Sequence, residues 1–207
     1  MIAVLDYGLG NVGSLLNAFE KLGIAAIKTA NPELLINADG LIFPGDGAAG
    51  AAMENLEKRK LINPLINFIK SGKPFLGICL GMQILLTSSA EGNTKCLNII
   101  PGQVKKFNNG LKIPQIGWNQ IRIKNKELGI KNKLFRNISD KSYFYFINSY
   151  YCVPDDKEII TGITDYGEDF CSIFLKNNIC GVQFHPEKSG RSGFQLLLNY
   201  FQNIYDN

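Results

Sequence analysis

Histidine is almost absent: of the 207 residues only position 185 carries one. Any reaction needing an imidazole near neutral pH therefore has a single candidate. Cysteine offers no framework either. Cys79, Cys96, Cys152, Cys171 and Cys180 are odd in number and widely spaced, with no C-x-x-C. Neither a disulfide scaffold nor a zinc site is indicated, and a reducing cytoplasm is the expected compartment. No apolar run is long enough to span a bilayer, and the opening M-I-A-V-L-D-Y has no basic segment and reaches Asp6 after a few apolar residues. A membrane anchor and a signal peptide are thus not expected. Dense basic tracts are missing as well. The net charge is +4, with loose lysine clusters at Lys105-Lys106 and from Lys124 to Lys133. These read as solvated faces, so no nucleic-acid partner is expected. There is no repeat or low-complexity segment.

What is present is a soluble-protein composition, 45% hydrophobic, in a length that fits one domain over residues 1–207 with a sizeable core. Ile2 to Leu5 predicts a strand, Ser14 to Leu22 a helix stopped by Gly23, and Ile24 to Ala30 a second strand. Leu41 to Phe43 predicts a third strand, Pro44-Gly45-Asp46-Gly47 a sharp turn, and the residues from Ala48 a helix interrupted at Asn63-Pro64. Strands alternating with helices imply a mostly parallel central sheet flanked by helices, an α/β fold with sites at the carboxyl ends of its strands. From about Lys95 the texture changes. Gly102 to Phe107, Leu111 to Lys124, Ser142 to Val153, Glu158 to Thr164 and Phe170 to Lys176 predict an added mixed or antiparallel β region. Ile179 to Phe184 returns to a buried strand, and Gly193 to Tyr205 closes as a helix.

Within this pattern Lys73 to Thr87, K-P-F-L-G-I-C-L-G-M-Q-I-L-L-T, is unusual. An apolar strand meets a cysteine bracketed by Gly77 and Gly81 and continues at helical spacing. That is the layout of a strained strand-to-helix turn which displays a nucleophile, and glycine is needed where a Cβ would strike backbone. A helix N-terminus favours thiolate over thiol, and N–H groups there, Leu80's above all, suit an oxyanion. An arbitrary free cysteine is more often a small core residue. The glycine bracket reverses that preference if a base is available. His185 ends an apolar strand, and Glu187 lies two residues on. In extended chain both face one way, so Glu187 orients the ring while the other nitrogen serves the thiol. Gly8-Leu9-Gly10-Asn11-Val12-Gly13 spells G-x-G-x-x-G, but Thr29-Ala30-Asn31 stands where a dinucleotide fold needs an acid. It reads as a tight turn, with dinucleotide binding a weak alternative.

G-I-C-L-G-M-Q, F-P-G-D-G and G-V-Q-F-H-P-E-K-S resemble the class I, triad-type glutamine amidotransferases. D-Y-G-L-G-N, I-G-W-N and Y-F-I-N-S-Y-Y narrow the resemblance to the glutaminase-subunit family of imidazole glycerol phosphate synthase. The resemblance spans the chain. It implies a Cys79-His185-Glu187 triad that hydrolyses L-glutamine through a cysteinyl thioester, without metal or cofactor. It further implies an oxyanion hole from the backbone of Leu80 and of Asp46 or Gly47, and substrate contacts from Gln83, Asn148, Ser149 and Tyr150. The implied partner is a (β/α)8-barrel cyclase subunit in a heterodimer, which uses the ammonia to make imidazole glycerol phosphate and AICAR in histidine biosynthesis. Trp118, Tyr145 and Lys188 match positions facing it, although aromatics serve cores and interfaces alike. Three residues depart from the family's usual pattern: Asp46 for an apolar residue, Gln115 for a histidine, and Asn148 for a frequent histidine. A carboxylate opposes an oxyanion, so Asp46 is expected to turn its side chain away. The alternative function is a paralogous glutaminase feeding another acceptor, such as a surface-sugar amidotransferase.

Overall fold

The computed structural model describes residues 1–124 and 133–201. Most of the Lys124 to Lys133 cluster and the end of the last predicted helix lie outside the described residues. In chain order the strands are β1 (Ile2–Leu5), β2 (Ala26–Thr29), β3 (Gly40–Phe43), β4 (Phe75–Ile78), β5 (Ser88–Ser89), β6 (Thr94–Lys95), β7 (Gly102–Lys106), β8 (Gln115–Ile123), β9 (Ser142–Asn148), β10 (Tyr150–Pro154), β11 (Ile160–Asp165), β12 (Asp169–Lys176) and β13 (Ile179–Val182). The helices are α1 (Val12–Lys21), α2 (Pro32–Asn37), α3 (Ala49–Lys58), α4 (Ile62–Lys70), α5 (Leu80–Gln83) and α6 (Gly190–Phe201).

The sheet runs β2-β1-β3-β4-β13-β12-β10-β7-β5-β6, with β11, β8 and β9 branching from β12. From β2 to β13 all pairings are parallel, and β13 then meets β12 antiparallel. The parallel strands are short apolar runs because both their faces are covered. Val4, Ile42, Leu76, Ile78, Cys180 and Val182 pack on one side with α1 and α6. Leu5, Leu41, Phe43, Phe75 and Ile179 pack on the other with α2, α3 and α4. The predicted α/β sheet with its added β region is therefore observed. Among the described residues no helix is long and apolar enough to cross a membrane.

Several boundaries differ from the sequence reading for local reasons. The helix break falls at Arg59 to Leu61, not at Asn63-Pro64, because Pro64 sits in the first turn of α4, where the missing N–H has no intrahelical partner to lose. The unpredicted α2 starts on Asn31, whose side chain accepts from Glu33 N at 2.9 Å, with Pro32 in the first turn. Ser142 to Val153 divides at Ser149 into β9 and β10, which pair with β8 and with β7 and β12 respectively. The G-x-G-x-x-G segment is the tight turn expected: Gly8 and Gly10 have φ of 90° and 96°, and the Asn11 side chain caps α1 by accepting from Ser14 N at 3.2 Å.

Candidate active site

The site is assembled at the carboxyl ends of β3, β4 and β13. Cys79 leaves β4 with φ 53° and ψ −111°, a strained conformation for a non-glycine residue. Its N–H donates to Val182 O at 2.8 Å, which locks the elbow to β13. A Cβ on Gly81 would lie 1.9 Å from Phe43 O, and one on Gly45 would lie 2.5 Å from Leu80 Cβ. The elbow and the Pro44–Gly47 turn thus touch through two glycines, which brings the proposed oxyanion donors to one place. The helix after the nucleophile is shorter than its apolar spacing predicts. Only Leu80–Gln83 is helical, and Ile84 to Leu86 leave it in turns closed by bonds such as Leu86 N to Gln83 O at 3.1 Å. Any electrostatic help to the thiolate therefore comes from a few local N–H groups rather than from a long dipole.

His185 and Glu187 also face one way, but through a different backbone than extended chain. β13 stops at Val182, and Pro186–Lys188 form one 3-10 turn that folds Glu187 back under the ring. Glu187 Oε1 lies 2.9 Å from His185 Nδ1, and both side chains are buried. Nε2 is left for Cys79. Burial alone pulls the imidazolium's pKa down, but hydrogen bonds and charge from Cys79 and Glu187 outweigh it, and His185 is raised to about 10. The ring's main chain is held from β9: His185 N donates to Tyr145 O at 2.9 Å, and Tyr145 N donates to Ser189 Oγ at 2.9 Å.

Asp46 does not turn away as expected. Its Oδ1 lies 4.0 Å from His185 Nε2, the ring nitrogen that Glu187 leaves open, and the carboxylate is half exposed. The attraction of the charged ring supplies the reason. The turn itself is pinned at both ends. Tyr7 OH donates to Pro44 O at 2.9 Å, and Glu91 Oε2 accepts from Ala49 N at 2.8 Å, capping an α3 that has no cap of its own. Burial first, then the charges of Cys79 and Asp46, hold the Tyr7 phenol far above its ordinary pKa, so the hydroxyl keeps its proton.

A cavity of about 410 Å³ opens over these groups. Asp46, Gly47, Cys79, Leu80, Gln83, Asn148, Ser149, Tyr150, His185 and Lys188 all line it. Trp118 and Tyr145 lie off it on the outer face of the β8–β9 pair, where they meet edge to face at 5.9 Å. Trp118 is 55% exposed and so is not a core aromatic.

Against known proteins, the model of the family described as glutamine amidotransferase class-I matches residues 3–203. The chain belongs to the class I glutamine amidotransferases. A relative in Geobacter sulfurreducens, named imidazole glycerol phosphate synthase subunit HisH, is 42% identical, the match covering 96% of this chain and 97% of the relative. A protein of the same name in Dehalococcoides mccartyi is 44% identical over 98% and 97%. Among solved structures, one titled glutamine amidotransferase superimposes with a TM-score of 0.75 at 17% identity, covering 100% and 99% of the two chains. PurLQS from Thermotoga maritima gives 0.72 at 16% identity over 98% of each. These two likenesses show the amidotransferase fold.

Four residues of this amidotransferase's site were missed in the sequence. Glu91, Pro114 and Ile147 line the cavity, and the Cys79 thiol donates to Ile147 O at 3.7 Å. Gln183, fully buried, donates from Nε2 to Cys79 Sγ at 3.5 Å. It stands inside the motif that contains His185, and a polar residue in an otherwise apolar strand end was the available signal. Two of the departing residues face each other: Gln115 and Asn148 are cross-strand partners, and Gln115 Oε1 and Asn148 Oδ1 are buried without a hydrogen-bond partner among the described residues. Within those residues no cluster of three or more metal-ligating side chains occurs.

Proposed function

We propose that the chain hydrolyses L-glutamine to glutamate and ammonia, and does so as the glutaminase subunit of a heterodimeric imidazole glycerol phosphate synthase. The observation that carries the chemistry is Glu187 holding Nδ1 of the buried His185 at 2.9 Å, which leaves Nε2 for the strained Cys79 beside a cavity. The Cys79 thiolate attacks the side-chain amide carbon, and the carbonyl π pair moves onto oxygen. The N–H of Leu80 and a backbone N–H of Asp46 or Gly47 receive that oxyanion. Its collapse breaks the C–N bond, and His185 gives the departing nitrogen a proton. Water, deprotonated by His185, then attacks the thioester, and the C–S bond breaks to release glutamate and restore the Cys79 thiolate beside the protonated His185. Glutamine's α-ammonium fits the Glu91 carboxylate on the cavity wall, with Gln83, Asn148, Ser149 and Tyr150 forming the remaining walls.

The domain is a single unit over 1–207, and it works in the cytoplasm. The full-length relatives named as a synthase subunit support the assignment to histidine biosynthesis. The partner is a (β/α)8-barrel cyclase that docks on the exposed face carrying Trp118 and Tyr145, with Lys188 beside it, and receives the ammonia directly. Glutamate release from glutamine, measured alone and with such a cyclase carrying its nucleotide ligand, tests the reading. Stimulation by the cyclase is expected; stimulation only by a sugar-modifying synthetase would replace the histidine pathway with a paralogous one.

A further inference from the structure

Under Cys79 the structure holds two glutamines in series. Gln83 Nε2 donates to Tyr150 O at 3.0 Å and to Gln183 Oε1 at 3.0 Å. Gln183 Nε2 in turn donates to Cys79 Sγ at 3.5 Å. Oxygen and nitrogen of an amide are exchanged by a simple flip, so one such contact says little by itself. Here the chain of contacts fixes its own polarity. Tyr150 O is a main-chain carbonyl and can only accept, so Gln83 must present its NH2 group there. The second hydrogen of that NH2 then needs an acceptor, which forces Gln183 to turn Oε1 towards Gln83. The only group Gln183 can turn to the sulfur is its NH2.

We propose that Gln83 and Gln183 form a one-way amide relay that presents a fixed N–H donor to the sulfur of Cys79 and stabilises its thiolate. The relay's role rests on Cys79 being the nucleophile. A hydrogen bond strengthens when its acceptor gains charge, and a buried one is not diluted by water. Gln183 is fully buried and Gln83 is 5% exposed. The donor is neutral, so unlike a lysine it leaves the His185 proton in place. It acts from below the sulfur, while His185, backed by Glu187, is the proton carrier. The other groups bearing on this sulfur are the Ile147 carbonyl, to which the Cys79 thiol donates at 3.7 Å, the Asp46 carboxylate beside His185, the buried Tyr7 phenol and the buried Cys152 thiol. All of these oppose or ignore its charge. The relay also ties the nucleophile to β10, because Tyr150, whose carbonyl starts it, lines the cavity.

The test is the pH dependence of carbamidomethylation of Cys79 by iodoacetamide in the whole protein, read by mass, together with the ultraviolet thiolate absorbance lost in Cys79→Ala. Gln183→Met keeps the volume and removes the donor. Its alkylation midpoint is expected about one pH unit higher, a tenfold smaller thiolate fraction below that midpoint, with kcat for glutamine falling and KM nearly constant. Gln183→Glu, isosteric and anionic, moves the midpoint further the same way. Gln83→Met leaves Gln183 in place but frees it to flip, and moves the midpoint by a smaller amount. A wild-type midpoint in folded Gln183→Met or Gln183→Glu overturns the relay. Should Cys79 fail to react in the wild type as well, the fault lies with the nucleophile assignment and not with the relay.

Discussion

At the scale of single residues, the site sets three anionic or polar groups around one ring and one sulfur. Glu187 is the partner that cannot be spared. Glu187→Gln keeps a hydrogen-bonding atom but loses the charge that favours the imidazolium, and glutamine hydrolysis is expected to fall by roughly 10²- to 10⁴-fold. Asp46 acts in the opposite sense. Its carboxylate, 4.0 Å from Nε2, competes with the thiol for the ring and opposes charge on the developing oxyanion. Neutral Asp46→Asn and apolar Asp46→Val are therefore both expected to raise hydrolysis by the isolated chain, by about two- to tenfold given the exposure of the charge. Equal or lower rates in both would show that the carboxylate assists. The raised His185 also has a consequence for stability. With a folded pKa of about 10 against an ordinary 6.5, the ring's contribution is fully present below pH 6.5 and is lost as pH rises through about 10. Urea unfolding of His185→Gln should then show a flatter decline of stability over that window than the wild type.

At the scale of elements, the elbow stores strain that the surrounding packing holds. Cys79→Gly should stabilise the fold by about 1 kcal/mol, since glycine accepts the positive φ without cost, while abolishing activity. Gly81→Ala should do the reverse, costing about 3 kcal/mol or more in a thermal or urea melt because its Cβ meets a main-chain oxygen that cannot yield. The elbow was legible in the sequence because two glycines around a cysteine, at a change from strand to helical spacing, mark a tight turn that must push its central side chain outward. That Cys79, His185 and Glu187 come together was legible because a chain with one histidine leaves a single candidate to pair with the thiol. The length of α5 was not, since turns stabilised by bonds from Leu97 and Ile100 to Ile84 O and Leu85 O carry the same apolar residues as a helix. Nor was the orientation of Asp46, which depends on the position of a ring far along the chain. Glu91 was illegible for the same reason: it acts on a helix 42 residues from it, and no local pattern records such a contact.

At the scale of the whole molecule, the parallel strands carry Cys79 and His185, while the added β region carries the cavity's other wall and an apolar outer face. Ile116, Trp118 and Tyr143 stand exposed on that face of β8 and β9. Tyr145, beside Trp118, holds the main chain of His185, so pressure on this face has a direct path to the base. Trp118→Ala is expected to leave the melting temperature nearly unchanged. It should weaken association with a barrel cyclase by tenfold or more, as for a central aromatic anchor, measurable by calorimetric titration.

The central claim is that Cys79 alone among the five cysteines is the glutamine nucleophile. The others are held as thiols: burial raises Cys96 to about 11 and Cys171 to about 12, and pushes Cys152 and Cys180 well above the ordinary thiol range. Incubation with an electrophilic glutamine analogue, followed by peptide mass mapping, tests this directly. The account predicts one adduct per chain, on the peptide containing Cys79, blocked by excess glutamine and absent in Cys79→Ala. An adduct on any other cysteine, or none under conditions where glutamine is hydrolysed, would contradict it.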